Sequence, residues 1–187
     1  MRIASVILLC CFLFSGCKTE NPLFDKAMEL RTAVLGANQC SFTAVITADY
    51  SDAIYTFQID CEEDIKRNVM HFIVTDPDSI SGITGQISQE TAVLTFDDRV
   101  LVFSKLADEQ LVPIAAPWIF LQSLKSGYLT GCGREAEGYC IYVDDSYEDN
   151  LLYLQIYTDD SFTPIRGEIL YRDRRILALD IKDFTLQ

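Results

Sequence analysis

The first hydrophobic pattern along the chain is a short run. Ile3 to Phe14 is apolar apart from Ser5, and Arg2 precedes it. A run of ~12 residues is too short to span a bilayer, which takes ~20, and it suits the core of a secretory signal. Ser15-Gly16-Cys17 follows, two small residues before a cysteine. Small side chains let a peptidase hold extended chain at its cut, so residues 1–16 are expected to be a signal that is removed.

From Leu23 the spacing becomes helical. Leu23, Ala27, Leu30 and Val34 recur at steps of three and four, with Asp25 early, Arg31 late and Gly36 as a stop. From Cys40 the period drops to two. Phe42, Ala44, Ile46 and Ala48 share one face of 41–50, and Tyr55, Phe57 and Ile59 share one face of 54–61. A hairpin centred between Tyr50 and Ser51 sets Phe42 opposite Ile59, Ala44 opposite Phe57 and Ile46 opposite Tyr55. The same register sets Cys40 opposite Cys61, so a disulfide is expected there.

Further strands are expected at 69–75, 85–88, 92–96, 100–104, 128–132, 139–145, 151–158, 165–171 and 176–184, about eleven in all. Turns such as Asp76-Pro77-Asp78, Asp97-Asp98, Asp159 to Pro164 and Arg172 to Arg175 join them. Consecutive strands with short links predict an antiparallel meander. In the hairpin around Gly133 to Gly138, Cys132 and Cys140 fall symmetrically about Ala136, and a second disulfide is expected. Each bridge would stabilise the domain by about 2–4 kcal/mol.

One segment interrupts the strands. Pro117 stands where a helix starts and Gly127 where it stops, and Trp118, Ile119, Phe120, Leu121 and Leu124 make the stretch apolar nearly all round. Such a helix is normally buried, so it is expected to fold back onto the sheet.

Composition narrows the function. Removing sixteen residues from 187 leaves 171, enough for one domain with a sizeable core. The net charge is −13, which repels phosphate backbones and anionic head groups alike. Nucleic acid is therefore no expected partner, and a basic patch is not what holds this chain to a membrane. Of seven cysteines, Cys10 and Cys11 leave with the signal, and Cys40, Cys61, Cys132 and Cys140 remain beyond Cys17. Four cysteines allow three pairings, and they can oxidise outside the cytoplasm.

Leu13-Phe14-Ser15-Gly16-Cys17 resembles the lipobox of bacterial lipoproteins, with Phe14 where an aliphatic residue is usual. The resemblance implies a diacylglyceryl group on Cys17, and two acyl chains anchor stably. The lipobox, leading helix, strand series and apolar helix together resemble the LolA/LolB-like lipoprotein superfamily. Within it the likeness is to Gram-positive lipoproteins of the GerS type. Ala116-Pro117-Trp118, Asp145-Ser146-Tyr147-Glu148-Asp149 and Arg166-Gly167-Glu168-Ile169-Leu170-Tyr171 carry that likeness.

The resemblance implies a mainly β, single-domain antiparallel half-barrel of about eleven strands. An N-terminal helix precedes it and an apolar helix covers its concave face. The expected layout is a signal at 1–16, a lipidated tether at 17–22 and the half-barrel at 23–187. The expected place is the cell membrane, on its extracytoplasmic face. Only Cys17 carries over residue by residue.

Candidate chemistry points away from catalysis. His71 is the single histidine, expected mid-strand and partly buried, and no Gly-x-Ser-x-Gly is present, so a triad lacks its parts. Asp97-Asp98, Asp144-Asp145 and Asp159-Asp160 fall at expected turns, where aspartate bonds local backbone. The acidic run Asp144 to Asn150 lacks the order and glycine of a calcium loop. No metal and no cofactor is expected. The expected function is to bind or carry a lipid or acyl-type ligand between sheet and helix. The candidate cavity comprises Phe42, Ile46, Tyr55, Phe57, Ile59, Trp118, Phe120, Leu121 and Leu124. The alternative is an adaptor for an envelope or cell-wall remodelling enzyme, with Tyr153, Tyr157 and Tyr171 as anchors.

Overall fold

The computed structural model describes residues 22–89, 92–95, 106–107, 111–136, 138–144 and 152–187, with backbone only for 92–95. The signal, Cys17, the expected strand 100–104, Asp97-Asp98 and residues 145–150 of the acidic run lie outside the described residues.

Helix α1 (Pro22–Gly36) opens the fold with proline in its first turn and Asp25 beside its positive end. Strands β1 (Gln39–Asp49), β2 (Ile54–Asp64), β3 (Val69–Asp76), β4 (Thr84–Ser88) and β5 (Ala92–Thr95) follow. A 3-10 turn (Pro113–Ala115) leads into α2 (Ala116–Ser126). Then come β6 (Tyr128–Glu135), β7 (Gly138–Asp144), β8 (Leu152–Thr158), β9 (Pro164–Tyr171) and β10 (Arg174–Leu186).

The strands form one antiparallel sheet in the order β5-β4-β3-β2-β1-β10-β9-β8-β7-β6. Among the described residues it has ten strands, the expected eleventh at 100–104 lying outside them, and β5 and β6 are unclosed edges, consistent with a half-barrel. The expected single meander is two. β1 to β5 run outward from the centre, and β6 to β10 run back inward until β10 pairs with β1. The link between the two edges must cross the sheet, and α2 lies on that link.

Strict alternation places the core. β1 buries Cys40, Phe42, Ala44, Ile46 and Ala48, and β2 buries Phe57, Ile59, Cys61 and Glu63. Ile141, Val143, Leu154, Ile156, Ile169, Leu177 and Leu179 continue this inner face across the other meander. The outer face is polar, with Thr43 Oγ1 donating to Asp60 Oδ1 at 2.7 Å and Gln58 Nε2 to Thr75 Oγ1 at 3.0 Å.

Both expected disulfides are corrected, since Cys40, Cys61, Cys132 and Cys140 are free thiols. In the first hairpin the faces are as expected but the register is two residues away. Phe42 stands opposite Cys61, and Cys40 opposite Glu63. The turn explains the shift. Asp49 Oδ1 accepts from the Ser51 amide at 2.8 Å, Ser51 takes φ 74°, and Tyr50 N donates to Ala53 O at 2.9 Å, so four residues make the loop. Cys40 and Cys61 become diagonal neighbours, about 7–8 Å apart, whereas a disulfide needs Cβ atoms about 3.5–4.5 Å apart.

In the second hairpin a bulge does the same. Leu129 pairs with Val143, but beyond a register shift Cys132 pairs with Ile141 and Gly133 with Cys140. That one-residue slip turns Cys132 and Cys140 to opposite faces. Had the register at Leu129 continued, the two cysteines would have stood opposite each other.

Candidate ligand site under the helices

The sheet's inner face needs a cover, and α2 supplies part of it. Phe120, Leu121 and Leu124 are fully buried, with the Phe120 ring edge-on to Phe42 at 6.2 Å. Gly167 makes the seat, because a Cβ there would lie 2.8 Å from Phe120 Cδ2. Gly127 ends the helix under similar crowding, since a Cβ there would meet Val143 Cγ1 at 2.3 Å.

A helix end leaves carbonyls without partners. Here Arg31 of α1 supplies them. Its Nε donates to Leu124 O at 2.8 Å, and its terminal nitrogen donates to Ser123 O at 3.3 Å and Gly127 O at 2.6 Å. A cation at a helix C-terminus also offsets the helix dipole. The sequence placed Arg31 late in α1 as that helix's own C-terminal cation, and the structure gives it to the other helix.

On its other flank α2 meets the β2–β3 hairpin through a buried ion pair. Lys125 Nζ lies 2.7 Å from Glu63 Oε1, with side chains 8% and 0% exposed. Gln122 Nε2 donates to Asn68 Oδ1 at 2.8 Å, Lys125 Nζ also donates to Asn68 Oδ1, and Trp118 lies half-buried with its ring centroid 5.8 Å from Lys125 Nζ. Glu63 Oε2 is buried without a hydrogen-bond partner among the described residues. Burial raises the Glu63 pKa above the usual carboxylate value, against the pull of Lys125. Burial also pushes the nearby Cys40 thiol up to about 12.

The expected cavity residues separate on this geometry. Phe42, Ile46, Phe57, Ile59, Phe120, Leu121 and Leu124 all belong to one buried cluster. Trp118 packs on its margin, and Tyr55 lies outside it, 60% exposed and edge-on to Tyr50. Open space lies elsewhere among the described residues, and one part of it lies against α1. A cavity of about 730 Å³ lies between that helix and the ends of β7, β9 and β10. Leu23, Leu30, Ala33, Phe162, Phe184 and Leu186 give its apolar walls, and Lys26, Glu29 and Asp160 stand at it as charged groups. Lys26 and Glu29 pair with each other at 2.6 Å, and Asp160 pairs with Arg134 at 3.1 Å.

Two signals could have located this cavity. One is the alternation of β10 running on past Phe184 to Leu186. The other is Phe162, a large apolar residue inside an otherwise polar turn. Asp159 holds that turn, accepting from the Ser161 and Thr163 amides at 2.8 and 2.9 Å, and the Phe162 ring stacks on Tyr139 at 4.4 Å.

Other candidates fall outside the site. His71 is exposed on the outer face opposite Glu62, rather than partly buried. Of the three tyrosines expected as partner anchors, Tyr153 is exposed and Tyr157 lies near Arg166, whereas Tyr171 packs against the core. Among the described residues no cluster of three metal-ligating side chains occurs, and no helix is long and apolar enough to cross a membrane.

No family model matches the chain, and no curated protein does. Similar solved structures include an uncharacterised conserved protein of Thermus thermophilus, at 13% identity and TM-score 0.44, covering 87% of this chain and 88% of that one. A LolA superfamily protein of Nitrosomonas europaea is similar at 9% identity and TM-score 0.42, covering 86% and 93%. LprF of Mycobacterium bovis is similar at 10% identity and TM-score 0.41, covering 86% and 93%. Likenesses this distant carry no inference about what the chain binds.

Proposed function

We propose that this chain is a lipid-anchored extracytoplasmic protein, attached through Cys17, that binds an apolar acyl-type ligand under α1 without catalysing a reaction. The observation that carries the reading is the cavity of about 730 Å³ with walls from Leu23, Leu30, Phe162, Phe184 and Leu186. Its volume lies in the range of small-molecule sites, ≈ 300–1,000 Å³. Apolar walls with a charged margin suit a ligand with an apolar body and a polar end. The space first expected beneath α2 is the domain's packed core, so the ligand belongs beneath α1, with the α2 residues as its support.

Titration of the domain with cis-parinaric acid, a fluorescent fatty acid, tests this. A saturable rise in emission is expected, and it should vanish in Ala33→Trp, which fills the cavity from an exposed helix position. Emission that never saturates, or that Ala33→Trp leaves unchanged, would sink the proposal.

A second reading, an adaptor for an envelope protein, draws on the same packing, because a filled centre makes a rigid scaffold. A stoichiometric protein partner that stays bound to Ala33→Trp after delipidation would favour it.

A further inference from the structure

Three apolar side chains are exposed on α1 and at the start of β6, the strand that α1 meets. Met28 and Leu35 are 38% and 54% exposed, and Tyr128 is 66% exposed. Met28 and Leu35 are seven residues apart and so share one face of α1, and Phe24 and Arg31 fall on the same stripe. Arg31 joins this stripe to β6, because it holds the carbonyl of Gly127, the residue before Tyr128.

We propose that this patch is a bilayer contact surface. The inference rests on the reading of Cys17 as the lipidated residue. Only four residues, 18 to 21, separate that reading's anchor from the first residue of α1, five steps along the chain. Extended chain spans at most ~3.3–3.6 Å per residue, so the start of α1 stays within ~18 Å of the lipid-bearing backbone. The head-group region is itself several ångströms deep, so the start of α1 cannot leave the vicinity of the membrane. A helix that lies along the membrane from that point turns one face to the lipid.

Ala27 and Val34 are buried in the protein, and Asp25, Lys26 and Glu29 carry charge. That leaves Met28 and Leu35 as the exposed apolar side chains of the helix, with Phe24 of the same stripe packed against the core and Tyr128 exposed at the start of β6. Tyrosine suits such a boundary, with an apolar ring and a polar tip. A chain of net charge −13 gains nothing from anionic head groups, so this contact is apolar and depends on the tether to hold it in place.

The test uses the full lipidated chain in vesicles of phosphatidylcholine brominated along its acyl chains. Leu35→Trp and Tyr128→Trp are compared with Thr56→Trp on the outer face of β2, each in a Trp118→Phe background. Intact mass first establishes whether Cys17 carries its lipid. With the lipid present, emission from Leu35→Trp and Tyr128→Trp should be blue-shifted and quenched, and emission from Thr56→Trp should be neither. Adding Met28→Glu should relieve the quenching. Lipidated protein with all three tryptophans unquenched, or all quenched alike, overturns the contact surface and leaves the anchor standing. Protein without lipid on Cys17 overturns both.

Discussion

Two charged residues decide how the helices sit. Arg31 gives three hydrogen bonds to the last carbonyls of α2, so it ties the helix over the cavity to the helix over the core. Hydrogen bonds from a charged donor are worth about 1.5–3 kcal/mol in such settings. Arg31→Met keeps the apolar stem and removes the donors, and should cost about that much in chemical denaturation. Glu63 and Lys125 behave differently. Removing one partner of a buried pair leaves an uncompensated charge and costs about 3–5 kcal/mol. Glu63→Gln should therefore destabilise strongly, while Glu63→Leu with Lys125→Met should restore most of the loss. The pH dependence has a definite sign. The folded chain holds the Glu63 proton more tightly than the unfolded chain does, because burial disfavours the carboxylate. Unfolding then releases a proton, so this group's contribution is full below the ordinary carboxylate pKa and is lost as pH rises through the raised value. Melting followed across that interval should show a downward step in the natural protein that the Leu/Met double variant lacks.

At the scale of elements, period carried far and register did not. The helical spacing of Leu23, Ala27, Leu30 and Val34 becomes α1, and the apolar run from Pro117 becomes α2 on the inner face. The alternation from Phe42 to Ile59 puts the expected residues inside apart from Tyr55, because a period of two fixes faces. It does not fix which residue stands opposite which, since a slip of two keeps every face. Asp49 and Ser51 set the first hairpin by local bonds that hydrophobicity does not report, and the bulge near Leu129 resets the second. The cavity was legible only in pieces, because its walls come from α1, a turn and the end of β10. The thiols show the consequence. Cys40 and Cys140 are pushed up to about 12 by burial, burial raises Cys61 well above the ordinary thiol value, and the half-buried Cys132 is raised as well. Alkylation of the native domain should be slow and should reach Cys132 first. After unfolding without reductant, all four should react, and a chain that takes no label would restore the disulfides.

At the scale of the molecule, the sheet is two meanders sharing β1 and β10 at the centre, and the link between their outer edges carries a helix. The crossing closes the centre with Phe120, Leu121 and Leu124 and leaves α1 to flank an open space of about 730 Å³ at one end. The anchor reading places that end nearest the membrane. Native mass spectrometry of Lys18–Gln187 from a heterologous periplasm, beside its Ala33→Trp variant, tests the account most directly. The natural domain should carry an added mass in the lipid range that denaturation removes, and the variant should fly bare. A bare natural domain, or the same added mass on both, would contradict the ligand site under α1.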